Sequence, residues 1–312
     1  MEGDIPSNGT MFFFLGFSDL SLTAQASLFM FFFLSYLLSL IGNGLIIVVV
    51  TLSPQLQSPM YFFLKVLSFL EVLSITSTAP KALQIFLTLE RSIPFAGCAV
   101  QFFTFIGAAG CECVLLTVMA FDRYLAICHP LRYMSVMTMS LCYKLTVMSL
   151  IFAFGNAIIG CSVLFSLSYC GPHLIAHFFC DIPPMISLAC GNTFIVEVYF
   201  LIISVIAIVL PTILIICSYT RILISILLLH SEESRYKAFS TCGSHVFSVV
   251  IFFGAAMFVH LRLGNPFTPY EDRMTALFYC IVIPTINPLI YSLKNKEMMK
   301  AIRKLNLKLV AL

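Results

Sequence analysis

Three groups of side chains in this 312-residue chain have the types and spacing to do chemistry. Asp122 and Arg123 stand side by side in "LTVMAFDRYLAICHPLRYM", residues 116–134, where an apolar run ends on an acid and a base followed by Tyr124. A guanidinium beside a carboxylate is held charged and oriented, and is withheld from other acceptors until the pair opens. The plainer reading is an ion pair at a helix end, with a loop built around His129 and Pro130 after it. Glu71 and Glu112 are the second group, each sunk in apolar sequence. Glu112 lies eleven residues before Arg123, or ~16 Å along a helix, and Glu71 lies ten after Tyr61, at a similar depth. Two level carboxylates in hydrocarbon cannot both be bare anions, so either one holds a proton or a small cation sits between them. A paired-carboxylate hydrolase fits poorly, because neither acid lies near a surface cleft. The third group is Cys98, Cys170, Cys180 and Cys190.

The elements that must position these groups follow from composition. The chain is 60% hydrophobic and 10% charged, with a mean hydropathy of +1.03. A soluble domain carries roughly 25% charged residues, so lipid must be the solvent for most of this surface. The net charge of +3 is small, and the basic residues form no broad patch beyond the C-terminal tail, which argues against nucleic-acid binding. Seven stretches have about the 20 apolar residues that a membrane span needs: 26–51, 60–86, 96–123, 141–165, 196–222, 238–261 and 272–292. The first follows a polar head with Glu2, Asp4 and Asp19 and no basic run, so it is expected to be a retained span and not a cleaved signal. The expected organisation is all-α: an outer N-terminal segment over 1–25, a seven-helix membrane domain over 26–292, and a cytoplasmic helix and tail over 293–312.

Arg123, Arg132, Lys144, Arg221, Arg235, Lys237 and the tail's Lys294, Lys296, Lys300, Arg303, Lys304 and Lys308 put 12 of the 17 basic residues on one side. The positive-inside rule makes that side cytoplasmic and the N-terminus extracellular. Asn8-Gly9-Thr10 is then a glycosylation acceptor in the compartment that could use it. The four cysteines of the third group fall outside the cytoplasm, where oxidising conditions favour disulfides and four cysteines allow three pairings. A zinc site with His173 and His177 is a weaker alternative. Met298, Ile302, Leu305 and Leu309 share one face of a tail helix with basic residues around them, as in an amphipathic helix on the inner leaflet. No cysteine follows Cys280 to carry an acyl anchor there.

The stretch "MAFDRYLAICHPLRY" resembles the odorant-receptor branch of the rhodopsin-like G-protein-coupled receptors. So do "GN" at 42–43, "PMYFFL" at 59–64, "SY" at 218–219, "KAFSTCGSH" at 237–245 and "PTINPLIYSLKN" at 284–295, in that order, with "HFFCDIPPMISLACG" at 177–191 as the long outer loop. The resemblance implies a receptor and not an enzyme. It implies a plasma-membrane location, a small hydrophobic odorant as ligand, and a stimulatory or olfactory heterotrimeric G protein that raises cyclic AMP. It implies Cys98–Cys180 and Cys170–Cys190 bridges. It makes Asp122, Arg123 and Tyr124 an inner latch, with Tyr219, His245, Asn287 and Tyr291 as the other switch residues; Ser240, Thr241 and Ser244 add polarity near His245.

It further implies an allosteric sodium site at Glu71 and Glu112 completed by Asn43 and Asn287, although Glu71 stands where relatives usually carry Asp. A shared proton is the competing reading. Family positions place the ligand wall at Phe105, Ile106, Ala109 and Gly110 on span three and at Ile203 and Ala207 on span five. They add Phe253, Ala256, Met257 and His260 on span six, and Leu277 and Cys280 on span seven. Phe105 stands where amine receptors place an acid, and Phe253 where this branch usually places Tyr, so the expected wall is apolar with His260 as its main polar group. Such a pocket suits small neutral hydrophobic molecules. A receptor for a non-volatile ligand outside the olfactory epithelium has the same pocket physics. A transporter should show inverted repeats, and none is visible.

Overall fold

Seven helices long and apolar enough to cross a membrane make up most of the computed structural model, which describes residues 11–88, 90–228, 231–260, 268–293 and 295–310. Within these ranges, the side chains of 233, 234, 236–241, 293, 296 and 306–310 are not described. The expected sites Asn8, Ser240 and Thr241 therefore lie outside the described residues or side chains.

The first span, α1 (Leu22–Leu52), starts where the Ser21 side chain accepts from the Ala24 amide at 3.3 Å. This cap satisfies one of the first-turn amide donors that the helix itself cannot pair. The second, α2 (Pro59–Leu87), starts on a proline, whose missing N–H costs nothing in a first turn. The third, α3 (Phe95–Cys128), is the central strut and packs against four of the other spans. The loop expected around His129 and Pro130 is instead a short helix, α4 (Pro130–Val136), because Pro130 falls at its first position and begins it. The fourth span is α5 (Met139–Phe165), capped by the Thr138 side chain on Leu141 N at 3.3 Å. A short α6 (Ile182–Ser187) lies in the outer loop.

Span five is not one uniform helix. α7 (Phe194–Ser204) passes through a π-helical turn at Val205–Val209 into α8 (Leu210–Leu227). Span six is the membrane part of α9 (Glu232–His260). Span seven repeats the interruption: α10 (Pro269–Leu277), a π turn at Phe278–Val282, then α11 (Ile283–Leu293). A π turn inserts one residue into the helical ladder and rotates the side chains that follow. Gly42 is needed where span one meets span seven, since a Cβ there would lie 2.8 Å from Pro288 Cβ.

The outer end of the bundle, which carries the N-terminal segment, holds a small sheet that composition does not announce. β1 (Met11–Phe14) lies between β2 (Ser92–Pro94), antiparallel, and β3 (Leu174–Ile175), parallel. Phe12, Phe14 and Phe17 are buried under it, so the second half of the expected polar head is folded onto the bundle. Gly16, with φ +55°, turns the chain after β1, and Arg273 reaches across to donate to its carbonyl and to Asp19 Oδ2, the latter at 2.5 Å. At the inner end, Asn295 Oδ1 caps α12 (Lys296–Val310) by accepting from Glu297 N and Met298 N at 3.1 Å, and also accepts from the Tyr61 hydroxyl at 3.0 Å. Of the tail helix, Met298 and Ala301 are buried against the inner core of the bundle, with Ile302 and Leu305 partly buried beside them. Leu309 lies outside the described side chains.

Candidate functional site

At the inner end of α3, Arg123 Nη2 lies 2.7 Å from Asp122 Oδ2, and both residues are buried. Asp122 also accepts from Tyr133 of α4, whose hydroxyl donates to Oδ1 at 2.9 Å. The carboxylate is thus divided between the arginine and a tyrosine that the sequence reading did not single out. Tyr124 turns away from this pair to meet His129 Nε2 at 3.0 Å. Across the bundle, the Tyr219 hydroxyl and His245 Nδ1 are 2.5 Å apart. Tyr291 is buried nearby, and its hydroxyl makes no hydrogen bond among the described residues.

At mid-depth Glu71 and Glu112 are 1% and 5% exposed, so both acids are sealed in the bundle. Asn287 was expected to offer an oxygen; it instead donates its amide nitrogen to Glu71 Oε1 at 2.5 Å, as the best acceptor within reach. Asn43 donates to Ser39 Oγ and to the Pro284 carbonyl, both at 3.2 Å, which ties span one to span seven. Its Oδ1, together with Glu112 Oε1, is buried without a partner among the described residues. Two orphaned oxygens next to a second carboxylate are a donor set that suits a small hard cation. Asn287 is not part of that set. A conventional metal cluster of three or more His, Cys, Asp or Glu side chains is absent among the described residues.

The outer loop is closed down on the bundle. Cys98 at the head of α3 is bonded to Cys180, with Cα atoms 5.6 Å apart, and Cys170 is bonded to Cys190 at 5.9 Å. All four cysteines of the zinc alternative are therefore engaged. Gln101 clamps the same loop: its Oε1 accepts from Cys180 N and its Nε2 donates to the Ser77 carbonyl, each at 2.9 Å. Phe178 and Phe179 fill the space beneath, against Phe17, Phe32 and Phe105. His177, stacked on Phe178, is fully buried, and its burial pushes the imidazole down to about 4.

The expected wall residues differ in burial. Ile106, Ala109, Ile203, Ala207, Ala256, Leu277 and His260 are part-buried, and Met257 is exposed at 37%. Phe105 and Phe253 are buried and form packed backing. Cys280 has no exposed surface and lies in the packing behind the wall, not on it. Gly110 does not face the pocket: a Cβ there would point at Ala153 of α5, 3.4 Å away, so its role is close packing with span four. Two polar residues were missed. Asp181, next to the bridged Cys180, is buried in the outer loop and accepts a hydrogen bond from Tyr279 of span seven. The position of Asp181 beside a cysteine expected to bridge to span three was the available signal. Tyr279 carried none, because its inward aim depends on the π turn.

Residues 32–308 match the family model described as "Olfactory receptor". The chain is 44% identical to mouse olfactory receptor 5AR1 over 98% of both chains. It is 43% identical to human olfactory receptor 10AG1, covering 96% of this chain and 99% of that one. Mouse olfactory receptor 5AP2 is 42% identical over 95% and 93% of the two chains. A match that runs through all seven spans, with near-full-length likeness to several named receptors, establishes that the chain belongs to the olfactory receptor family.

Proposed function

We propose that this odorant receptor binds small, mostly neutral hydrophobic molecules in the outer half of the bundle and activates a stimulatory or olfactory heterotrimeric G protein, raising cyclic AMP. It does so at the plasma membrane with its N-terminus outside. The observation that carries the ligand class is the wall itself. Ile106, Ala109, Ile203, Ala207 and Ala256, the positions proposed to form it, are apolar and only part-buried, with His260 as the main polar group among them and two disulfides holding the outer loop. Apolar surface with few polar groups rewards burial of alkyl and ring carbons and leaves a charged head unsolvated. The inner Asp122–Arg123–Tyr133 set supports the output side, since release of Arg123 would present a guanidinium to a partner's backbone carbonyls.

The orphaned oxygens of Asn43 and Glu112 support a single cation, sodium, held between Glu71 and Glu112. Within that site Glu71 keeps Asn287 as a donor, and Asn43 supplies the neutral oxygen. The functional reading is tested by exposing cells that display the receptor, with the olfactory alpha subunit, to a panel of neutral odorants and reading cyclic AMP. A response to neutral ligands that Ala109→Phe removes at equal surface display is expected, because that ring fills the space between spans three and five. A response confined to charged ligands, or untouched by Ala109→Phe, contradicts it.

A further inference from the structure

Asp181 lies in the outer loop, fixed by the neighbouring Cys180–Cys98 bridge, and is only 2% exposed. No cation lies within ion-pair distance of it among the described residues; Arg273, the basic residue of α10, is committed to Asp19. Both of its oxygens instead accept from donors: Oδ1 from Ile182 N at 2.8 Å, as the cap of α6, and Oδ2 from the Tyr279 hydroxyl. A phenol hydroxyl has one proton to donate. The single hydroxyl proton of Tyr279 is therefore spent on Asp181, and toward any other neighbour its oxygen can serve only as an acceptor. The carboxylate also polarises the phenol and strengthens that acceptor.

Tyr279 is part-buried, and its ring is surrounded by residues of three other elements. Phe105 of α3 lies at 5.9 Å between ring centroids, Phe179 of the outer loop at 6.5 Å and His260 of α9 at 6.4 Å. The ring of Tyr279 thus lies inside the outer end of the bundle, next to Phe105 and His260 of the expected wall. The π turn Phe278–Val282 contains Tyr279 and sets this aim. His260, when neutral, has one donor and one acceptor nitrogen and so sets no preference by itself.

We infer that Tyr279, with its proton fixed by Asp181, is the pocket's directed hydrogen-bond acceptor and selects ligands that carry a hydroxyl donor, small hydrophobic alcohols, over ketones of the same carbon skeleton. This rests on the outer pocket of the proposed function and narrows its ligand class. Asp181 is the positioning residue: it acts through Tyr279, being itself sealed from the pocket.

The test uses matched pairs, 2-heptanol with 2-heptanone and cyclohexanol with cyclohexanone, on cells displaying the full-length receptor, with potency read as cyclic AMP. Each result is the alcohol-to-ketone potency ratio on one set of cells, so differences in display cancel. In the wild type the alcohol is favoured by about 3- to 10-fold, the range of one net hydrogen bond. Tyr279→Phe brings the ratio to about one by weakening the alcohol. Asp181→Asn keeps the cap on Ile182 through its Oδ1, which puts its amide N–H at Tyr279. The phenol proton is then released toward the pocket, and the ratio falls below that of the wild type through a gain in the ketone. Either variant suffices if the other is not displayed. A wild-type ratio near one, or a ratio unmoved by the displayed variants, overturns the inference and leaves the pocket standing. A displayed wild type that answers to no neutral ligand of either kind overturns both.

Discussion

Asp122 divides its two carboxylate oxygens between two partners. Oδ2 holds Arg123 and Oδ1 holds Tyr133, so the arginine is kept in place by a carboxylate that is itself oriented from α4. A hydrogen bond to a charged group is worth about 1.5–3 kcal/mol, and only part of it biases the closed against the open state. Tyr133→Phe is therefore expected to raise ligand-free cyclic AMP about 2- to 5-fold without loss of surface display. Unchanged basal signalling would show that the tyrosine only decorates the pair. Arg123→Ala should keep odorant binding and display while losing most signalling; equal loss of all three would reduce the pair to a helix-end ion pair. Adjacent residues such as Asp122 and Arg123 are legible in sequence because the chain itself juxtaposes them. Tyr133 was not, since it reaches Asp122 only because the segment from Pro130 coils into a helix.

Elements were legible in proportion to their length. A span of 24 residues or more, such as α5, declares itself by composition alone, because the bilayer demands a long apolar run. The strand Met11–Phe14 is four residues long, and its burial depends on partners some 80 and 160 residues away. The π turns of spans five and seven leave no mark in composition, and they decide where Ala207, Tyr279 and Cys280 point. Gly110 fits a helical stripe with Phe105 and Ile106, yet the twist of α3 carries it to Ala153. The outer cap makes a prediction of its own. Arg273 holds Asp19 below the usual carboxylate range by a direct hydrogen bond, so that strap survives moderate acid. His177 behaves oppositely. Its imidazole is 6.5 in the unfolded chain and about 4 when buried, so the unfolded state takes up the proton first. The contribution of His177 is full above pH 6.5 and is lost as pH drops toward 4, by on the order of 3 kcal/mol at most. Between pH 7 and 4.5, the thermal stability of the purified His177→Phe receptor should therefore lose less, or gain more, on acidification than that of the wild type. An equal slope in the variant would place the acid sensitivity elsewhere.

Between the outer end of the bundle, where the ligand is proposed to bind, and the buried Arg123 at the inner end lies a layer of buried polar side chains. Glu71, Glu112 and Asn43 come from spans two, three and one, so an ion held there would tie three spans directly and span seven through the Asn287–Glu71 hydrogen bond. If that ion is sodium and favours the resting arrangement, replacing choline with sodium outside should shift odorant curves to higher concentration. Glu112→Gln, which deletes one charge with little change of shape, should abolish the shift. Curves that ignore sodium but move with pH would favour a shared proton. The claim that spans the full length of the bundle is that a neutral odorant at one end opens a stimulatory G-protein site at the other. Nucleotide exchange tests it most directly, with purified receptor, one active neutral odorant and isolated stimulatory, olfactory and inhibitory heterotrimers. The account predicts that the odorant speeds GTP loading of the stimulatory and olfactory alpha subunits with wild-type receptor and fails to do so with Arg123→Ala. Loading that ignores the odorant, or that rises only on the inhibitory subunit, would contradict it.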